Sequence, residues 1–215
     1  MPATIAIIGA GPLGRWLALR AAQSGFRVLL EDVMPANLLH AQETLRRQLG
    51  PLALRQEAVP ALQLAPQALH GRSEPQTVEE PAEPQALRLI EFVSTIEDAV
   101  READLVIDCV PDEIESKLEI FFLLDRMAPP RAVLATPTTR QSIADLASCT
   151  YRPGQCIAIV SEASALAANA GSEVQLQITS KTLPATIALL DGFWRQLGFI
   201  PCFAPDPAEQ GSMPL

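Results

Sequence analysis

The feature that most constrains this chain is a glycine-rich turn set between an apolar strand and an apolar helix. Thr4-Ile5-Ala6-Ile7-Ile8 runs into Gly9-Ala10-Gly11-Pro12-Leu13-Gly14, followed by a helical stretch and then Arg27-Val28-Leu29-Leu30-Glu31-Asp32. Strand, turn, helix, strand and terminal acid together have the layout of a dinucleotide-binding βαβ unit. Gly9 allows the tight turn, Gly11 lets the backbone approach a pyrophosphate, and Gly14 lets the helix pack close to the sheet. Pro12 and Leu13 open that helix, whose N-terminus presents unpaired N–H groups and partial positive charge to phosphate. Asp32, at the end of the second strand, is placed to accept from both ribose hydroxyls and to repel a 2′-phosphate. NAD is therefore expected in preference to NADP.

Elsewhere the pattern alternates strands with helices. Helices are expected at Met34–Leu49 (apolar face Leu38, Leu39, Leu45 and Leu49), Thr95–Ala103, Pro111–Met127 (Ile114, Leu118, Phe121 and Phe122 inward), Ser142–Ser148, Ala163–Ala170 and Thr182–Leu197. Strands are expected at Leu87–Ser94, Leu105–Val110, Ala132–Thr136, Gln155–Ser161, Glu173–Thr179 and Ile200–Phe203. Prolines and acidic residues interrupt the region from Gly50 to about residue 86, which reads as an irregular insertion with a short helix at Leu52–Leu69. The fold class is α/β: a doubly wound, Rossmann-type, mostly parallel sheet in a single domain over residues 1–203, with 204–215 as a tail.

Composition narrows the function further. The formal net charge is −9, which argues against nucleic acid or an anionic membrane as partner. No segment offers a clean apolar membrane span, and the N-terminal apolar run lacks the basic leader of a signal peptide. Cys109, Cys149, Cys156 and Cys202 are scattered without metal-ligand spacing, so no metal site and a reducing, cytoplasmic setting are expected. The only histidines are His40 and His70.

Past Asp32 the chain resembles the NAD-binding domain of the 3-hydroxyacyl-CoA dehydrogenases. The matching segments are Ala103-Asp104-Leu105-Val106-Ile107-Asp108-Cys109-Val110-Pro111-Asp112-Glu113, then Glu115, Lys117 and Phe121. Leu134-Ala135-Thr136-Pro137-Thr138-Thr139, Ser142-Ile143 and Arg152-Pro153 follow in the family's order. The resemblance implies that Asp112 contacts the nicotinamide ribose with Lys117 nearby, and that Val110 and Thr136 line the same cofactor. It also implies departures. The family's asparagine and serine before the sixth strand become Pro137 and Thr139. Its histidine base falls on Val160, and the glutamate orienting that base falls on Gln175, with Glu173 as the nearby alternative across a short insertion. Valine cannot move a proton. Thr139 and Glu162 are the remaining catalytic candidates, with Ser161 as a possible hydroxyl relay.

The chain ends at Leu215, before the helical domain with which the family closes its substrate cleft. The resemblance thus implies an NAD(H)-binding protein that has lost the family's histidine and glutamate, with self-association or a partner over the open face through Ala163–Ala170 and the Trp194 helix. The alternatives are an active oxidoreductase on a 3-hydroxy substrate with rebuilt acid/base chemistry, and a non-catalytic structural or assembly module.

Overall fold

The computed structural model describes residues 3–49, 84–160 and 171–210. Eight strands form one sheet in the order β3-β2-β1-β4-β5-β6-β7-β8. They are β1 Thr4–Ile8, β2 Arg27–Glu31, β3 Ile90–Val93, β4 Leu105–Asp108, β5 Val133–Pro137, β6 Cys156–Val160, β7 Glu173–Ile178 and β8 Ile200–Pro205. Neighbours are parallel except β6 and β7, which run antiparallel. The strand order reverses beside β1, between β1 and β4, the switch point at which an open α/β sheet leaves a ligand crevice at its carboxyl edge.

Two apolar layers cover the sheet because its strands alternate side chains between faces. Ile5, Ile7, Val28 and Leu30 face helix α1 (Pro12–Gln23) and helix α7 (Pro184–Gln196), whose Trp194 is fully buried. Ala6, Ile8, Leu29 and Leu134 face α4 (Ile96–Val100), α5 (Ile114–Met127) and α6 (Ile143–Ser148). Both short helices start where the sequence suggested. Thr95 accepts from the Asp98 amide at 3.2 Å and Ser142 accepts from the Asp145 amide at 3.2 Å.

Several expectations need correction. Residues 85–88 form a helical turn, α3 (Gln85–Arg88), so only Ile90–Val93 of the expected Leu87–Ser94 strand pairs with β2. In α2 (Pro35–Leu49) the buried residues are Ala41 and Leu45, and Leu39 is 62% exposed. In α5 the buried stripe is Lys117, Ile120, Phe121 and Leu124, which turns Ile114 and Phe122 outward. The final strand runs on to Pro205. Asp206 then caps α6 through Ser142 Oγ and the Ala144 amide, both at 2.8 Å, and α8 (Pro207–Gln210) follows. Residues 204–210 are thus part of the fold rather than a tail. The expected helix at Leu52–Leu69, most of the Pro-rich insertion, His70, Ser161, Glu162 and Ala163–Ala170 lie outside the described residues.

The most consequential interior feature is ionic. Asp108, at the end of β4, accepts from Lys117 Nζ at 3.0 Å, Thr136 Oγ1 at 2.9 Å and the Val110 amide at 2.9 Å, with Asp108 and Lys117 both fully buried. Burial, the largest influence, raises the Asp108 carboxyl above its ordinary range, while Lys117 and the two other donors oppose it. Removing one partner strands a charge in the core. Lys117→Met is expected to lower stability by about 3–5 kcal/mol, and adding Asp108→Asn should recover part of that loss in urea unfolding. A loss below about 1 kcal/mol would contradict the buried pair.

Candidate nucleotide-binding cleft

The cleft is built from the amino-terminal turn upward. Gly9 has φ +107°, the left-handed region, and its amide donates to the Glu31 carbonyl at 2.8 Å, fixing the turn to the end of β2. A Cβ added at Gly14 would lie 1.9 Å from the Gly9 carbonyl oxygen, so only glycine lets α1 start against the turn. Gly11 differs. A Cβ there would meet nothing within 4 Å, so its α-carbon faces open space at the helix start. Gly11 is the N-cap and Pro12 opens the helix. The cap contributes no side-chain hydrogen bond, and no intramolecular acceptor is seen for the Leu13 and Gly14 amides among the described residues. An open cradle beside free amides at a twelve-residue helix fits a pyrophosphate.

Asp32 is buried at the end of β2. Its Oδ2 accepts from the Ala10 amide at 2.9 Å, and its Oδ1 accepts from the Met34 amide at 2.9 Å and Asn37 Nδ2 at 3.0 Å. One carboxylate thus ties the glycine turn to the start of α2. Sequence reasoning missed Asn37; a polar side chain one helical turn after a terminal acid was the available signal. Beside it, Glu31 is 4% exposed, and strand alternation turns it toward the face of Leu29. Burial first, and the charge of Asp32 second, push its carboxyl up to about 7. An acid at Asp32 disfavours an additional phosphate at this edge.

At the far side of the switch point the resemblance-derived residues divide. Val110 and Asp112 stand half-buried at the β4–α5 turn. Asp112 Oδ1 accepts from Thr138 Oγ1 at 2.6 Å and its Oδ2 accepts from the Thr139 amide at 3.1 Å, joining the loops after β4 and β5. Thr138 also accepts from the amides of Arg140 and Gln141 at 3.1 and 2.9 Å, so its hydroxyl holds the turn that follows Pro137. Lys117 and Thr136, expected beside the cofactor, instead lie in the core on Asp108, beneath the loop that carries Val110 and Asp112. They position that loop rather than forming its surface. Thr139 is exposed at the cleft, and Glu162 lies outside the described residues.

The catalytic positions implied by the resemblance are opposed in space: Val160 on β6 and Gln175 on β7 are register partners. Neither side chain titrates. The only imidazole among the described residues is His40, exposed on α2 after β2, five strands from β7 in the sheet order. Cys109, next to Asp108, is a thiol whose pKa burial raises well above its ordinary value, so it stays protonated.

Fold, switch-point crevice, glycine cradle and terminal acid define a dinucleotide-binding domain. Residues 4–161 match the family described as 3-hydroxyacyl-CoA dehydrogenase, NAD binding domain, so the chain belongs to that family and its cofactor is NAD. A probable 3-hydroxybutyryl-CoA dehydrogenase of Bacillus subtilis is 30% identical over 153 residues, 71% of this chain and 46% of that protein. A 5-formyl-3-hydroxy-2-methylpyridine 4-carboxylate 5-dehydrogenase of Mesorhizobium japonicum is 26% identical over 92% of this chain and 55% of its own length. The fold is that of the (S)-3-hydroxybutyryl-CoA dehydrogenase of Ralstonia eutropha, with TM-score 0.76 and 22% identity over 96% of this chain and 64% of that one. The chain spans about half the length of these curated relatives.

Glu31 supplies a pH test of the cleft's edge. A carboxyl whose folded pKa is raised holds its proton more tightly when folded. Its contribution to stability is therefore present below about 4.5 and lost as pH rises through about 7. Glu31→Gln should gain roughly 1–2 kcal/mol over the parent at pH 8, after discounting for solvent screening, and almost nothing at pH 4.5. Urea midpoints at the two pH values read the difference; an equal effect at both would contradict the raised value.

Proposed function

We propose that this chain holds NAD(H) without running the family's hydroxyacyl oxidation by an imidazole base. The observation that carries the reading is the Val160–Gln175 pairing: two non-titrating side chains opposite one another at the end of β6, where the family resemblance calls for a histidine and its orienting glutamate. When bound, the nicotinamide supplies the centre that takes or gives hydride.

The chain's own groups then divide the remaining work. The amides of Leu13 and Gly14 and the open space at Gly11 would hold the pyrophosphate, and Asp32 the adenosine ribose. Asp112 and Val110 would meet the nicotinamide ribose, with Lys117 and Thr136 fixing their loop from below. Thr139 keeps a hydroxyl at the serine position and can orient a ligand oxygen, but a hydroxyl does not titrate near neutrality. The two relatives' names cover a CoA thioester and a pyridine carboxylate, so membership leaves the substrate class open.

Self-association or a partner belongs to this reading, with α7 as one contact element; its Trp194 side chain is itself buried, so the outer face of that helix would make the contact. Phe122 and Met127 on the outer face of α5, 48% and 43% exposed, are apolar side chains available to such a contact. Four free cysteines fit a reducing, cytoplasmic setting, and no described helix is long and apolar enough to cross a membrane.

The test is NADH oxidation with acetoacetyl-CoA. No protein-dependent turnover is expected, while NADH fluorescence still reports binding and Gly11→Val abolishes it. Turnover in the parent that disappears in Glu162→Gln would overturn the proposal in favour of a rebuilt acid/base site.

A further inference from the structure

A second cleft, about 220 Å³ in volume, opens at the carboxyl ends of β5 and β6. Thr139, Arg140 and Ser142 line it from the loop after β5, Val160 and Gln177 from β6 and β7, and Asp206 from the turn after β8. Its size is below the ~300–1,000 Å³ typical of drug-sized ligands, which favours a small molecule.

The hydrogen-bonding groups in this cleft are unbalanced. Its carboxylates are committed. Asp206 is 1% exposed, and both its oxygens accept from the protein: Oδ2 from Ser142 Oγ and the Ala144 amide at 2.8 Å, Oδ1 from the Ala208 amide at 3.0 Å. Burial alone would raise its pKa, but these donors outweigh burial and hold the carboxyl below its ordinary range. Asp112, behind the loop, is likewise engaged by Thr138 and Thr139.

The donors, by contrast, are free. Among the described interactions the Arg140 guanidinium, the Gln177 amide and the Thr139 hydroxyl have no side-chain partner, although all three line the same space. An uncommitted guanidinium with two neutral donors, where the nearby carboxylates are already satisfied, complements a planar anion with several acceptor oxygens. The residue that brings the charge is Arg140, in the loop after β5 beside Thr139.

We infer that this cleft binds the carboxylate of a small hydroxy or oxo acid, with Arg140 as the anchoring cation and Gln177 and Thr139 as supporting donors. The inference deepens the reading above by naming a ligand class for the nicotinamide end of the sheet, and its test does not need the nucleotide. Arg140 reads charge, so a free acid is held and its neutral ester is not. The apolar wall at Val160 accepts the carbon chain, and no proton transfer is involved in binding.

The experiment titrates sodium 3-hydroxybutyrate, and separately its methyl ester, into the isotopically labelled full chain and follows amide resonances. The acid should shift the Gln177 side-chain amide and the backbone amides of Thr139, Arg140 and Gln141, and the ester should leave them in place. Arg140→Gln should weaken the acid by about tenfold or more, Arg140→Lys should weaken it less, and Gln177→Leu should give a smaller loss. Equal shifts from acid and ester, no shift from the acid, or an unchanged affinity in Arg140→Gln would each overturn the inference. A parallel NADH titration of the same samples reports separately on the cofactor reading, so a failure of one is not mistaken for a failure of the other.

Discussion

The close approach of α1 to the turn that precedes it underlies the rest of the site. With the Gly9 carbonyl where a Cβ of residue 14 would fall, the helix starts directly on the sheet and its first amides face outward at the switch point. That one steric allowance sets where phosphate can lie. It also brings the Ala10 amide within 2.9 Å of Asp32, so the turn and the acid at the end of β2 are one unit. A larger residue at position 14 would push the helix off the turn and separate the two.

On the other side of the switch point, charge burial organises the edge. Asp108, Lys117 and Thr136 satisfy one another inside the core and leave the loops above them little freedom. Asp112 then joins those loops through Thr138 and Thr139. The loops after β4 and β5 are therefore tied to one another by hydrogen bonds, whereas the end of β6 presents Val160, which has no titrating group.

Much of this was legible in the chain. The glycine spacing, the acid at residue 32 and the caps Thr95 and Ser142 are local signals, and each reappears in the fold. The register that sets Val160 on β6 opposite Gln175 on β7 is a finding of the fold. What was missed depended on partners distant in sequence. Lys117 is expected near the nicotinamide ribose from the resemblance, yet Ile120, Phe121 and Leu124 place it on the core face of α5, and an aspartate inside an apolar strand is its natural partner. Leu39 and Phe122 were placed inward because apolar type was read ahead of helical phase. The roles of Asp206 and Thr138 depend on donors from other loops, which no local window contains.

The claim at the centre of this account is that a working NAD site survives at the amino-terminal turn, with Asp32 selecting against a 2′-phosphate. Calorimetric titration of the chain with NADH and NADPH tests it most directly. The account predicts saturable heat with NADH and at least about tenfold weaker binding of NADPH, a difference of about 1.4 kcal/mol or more. Equal affinity for the two, or no heat with either, would contradict it.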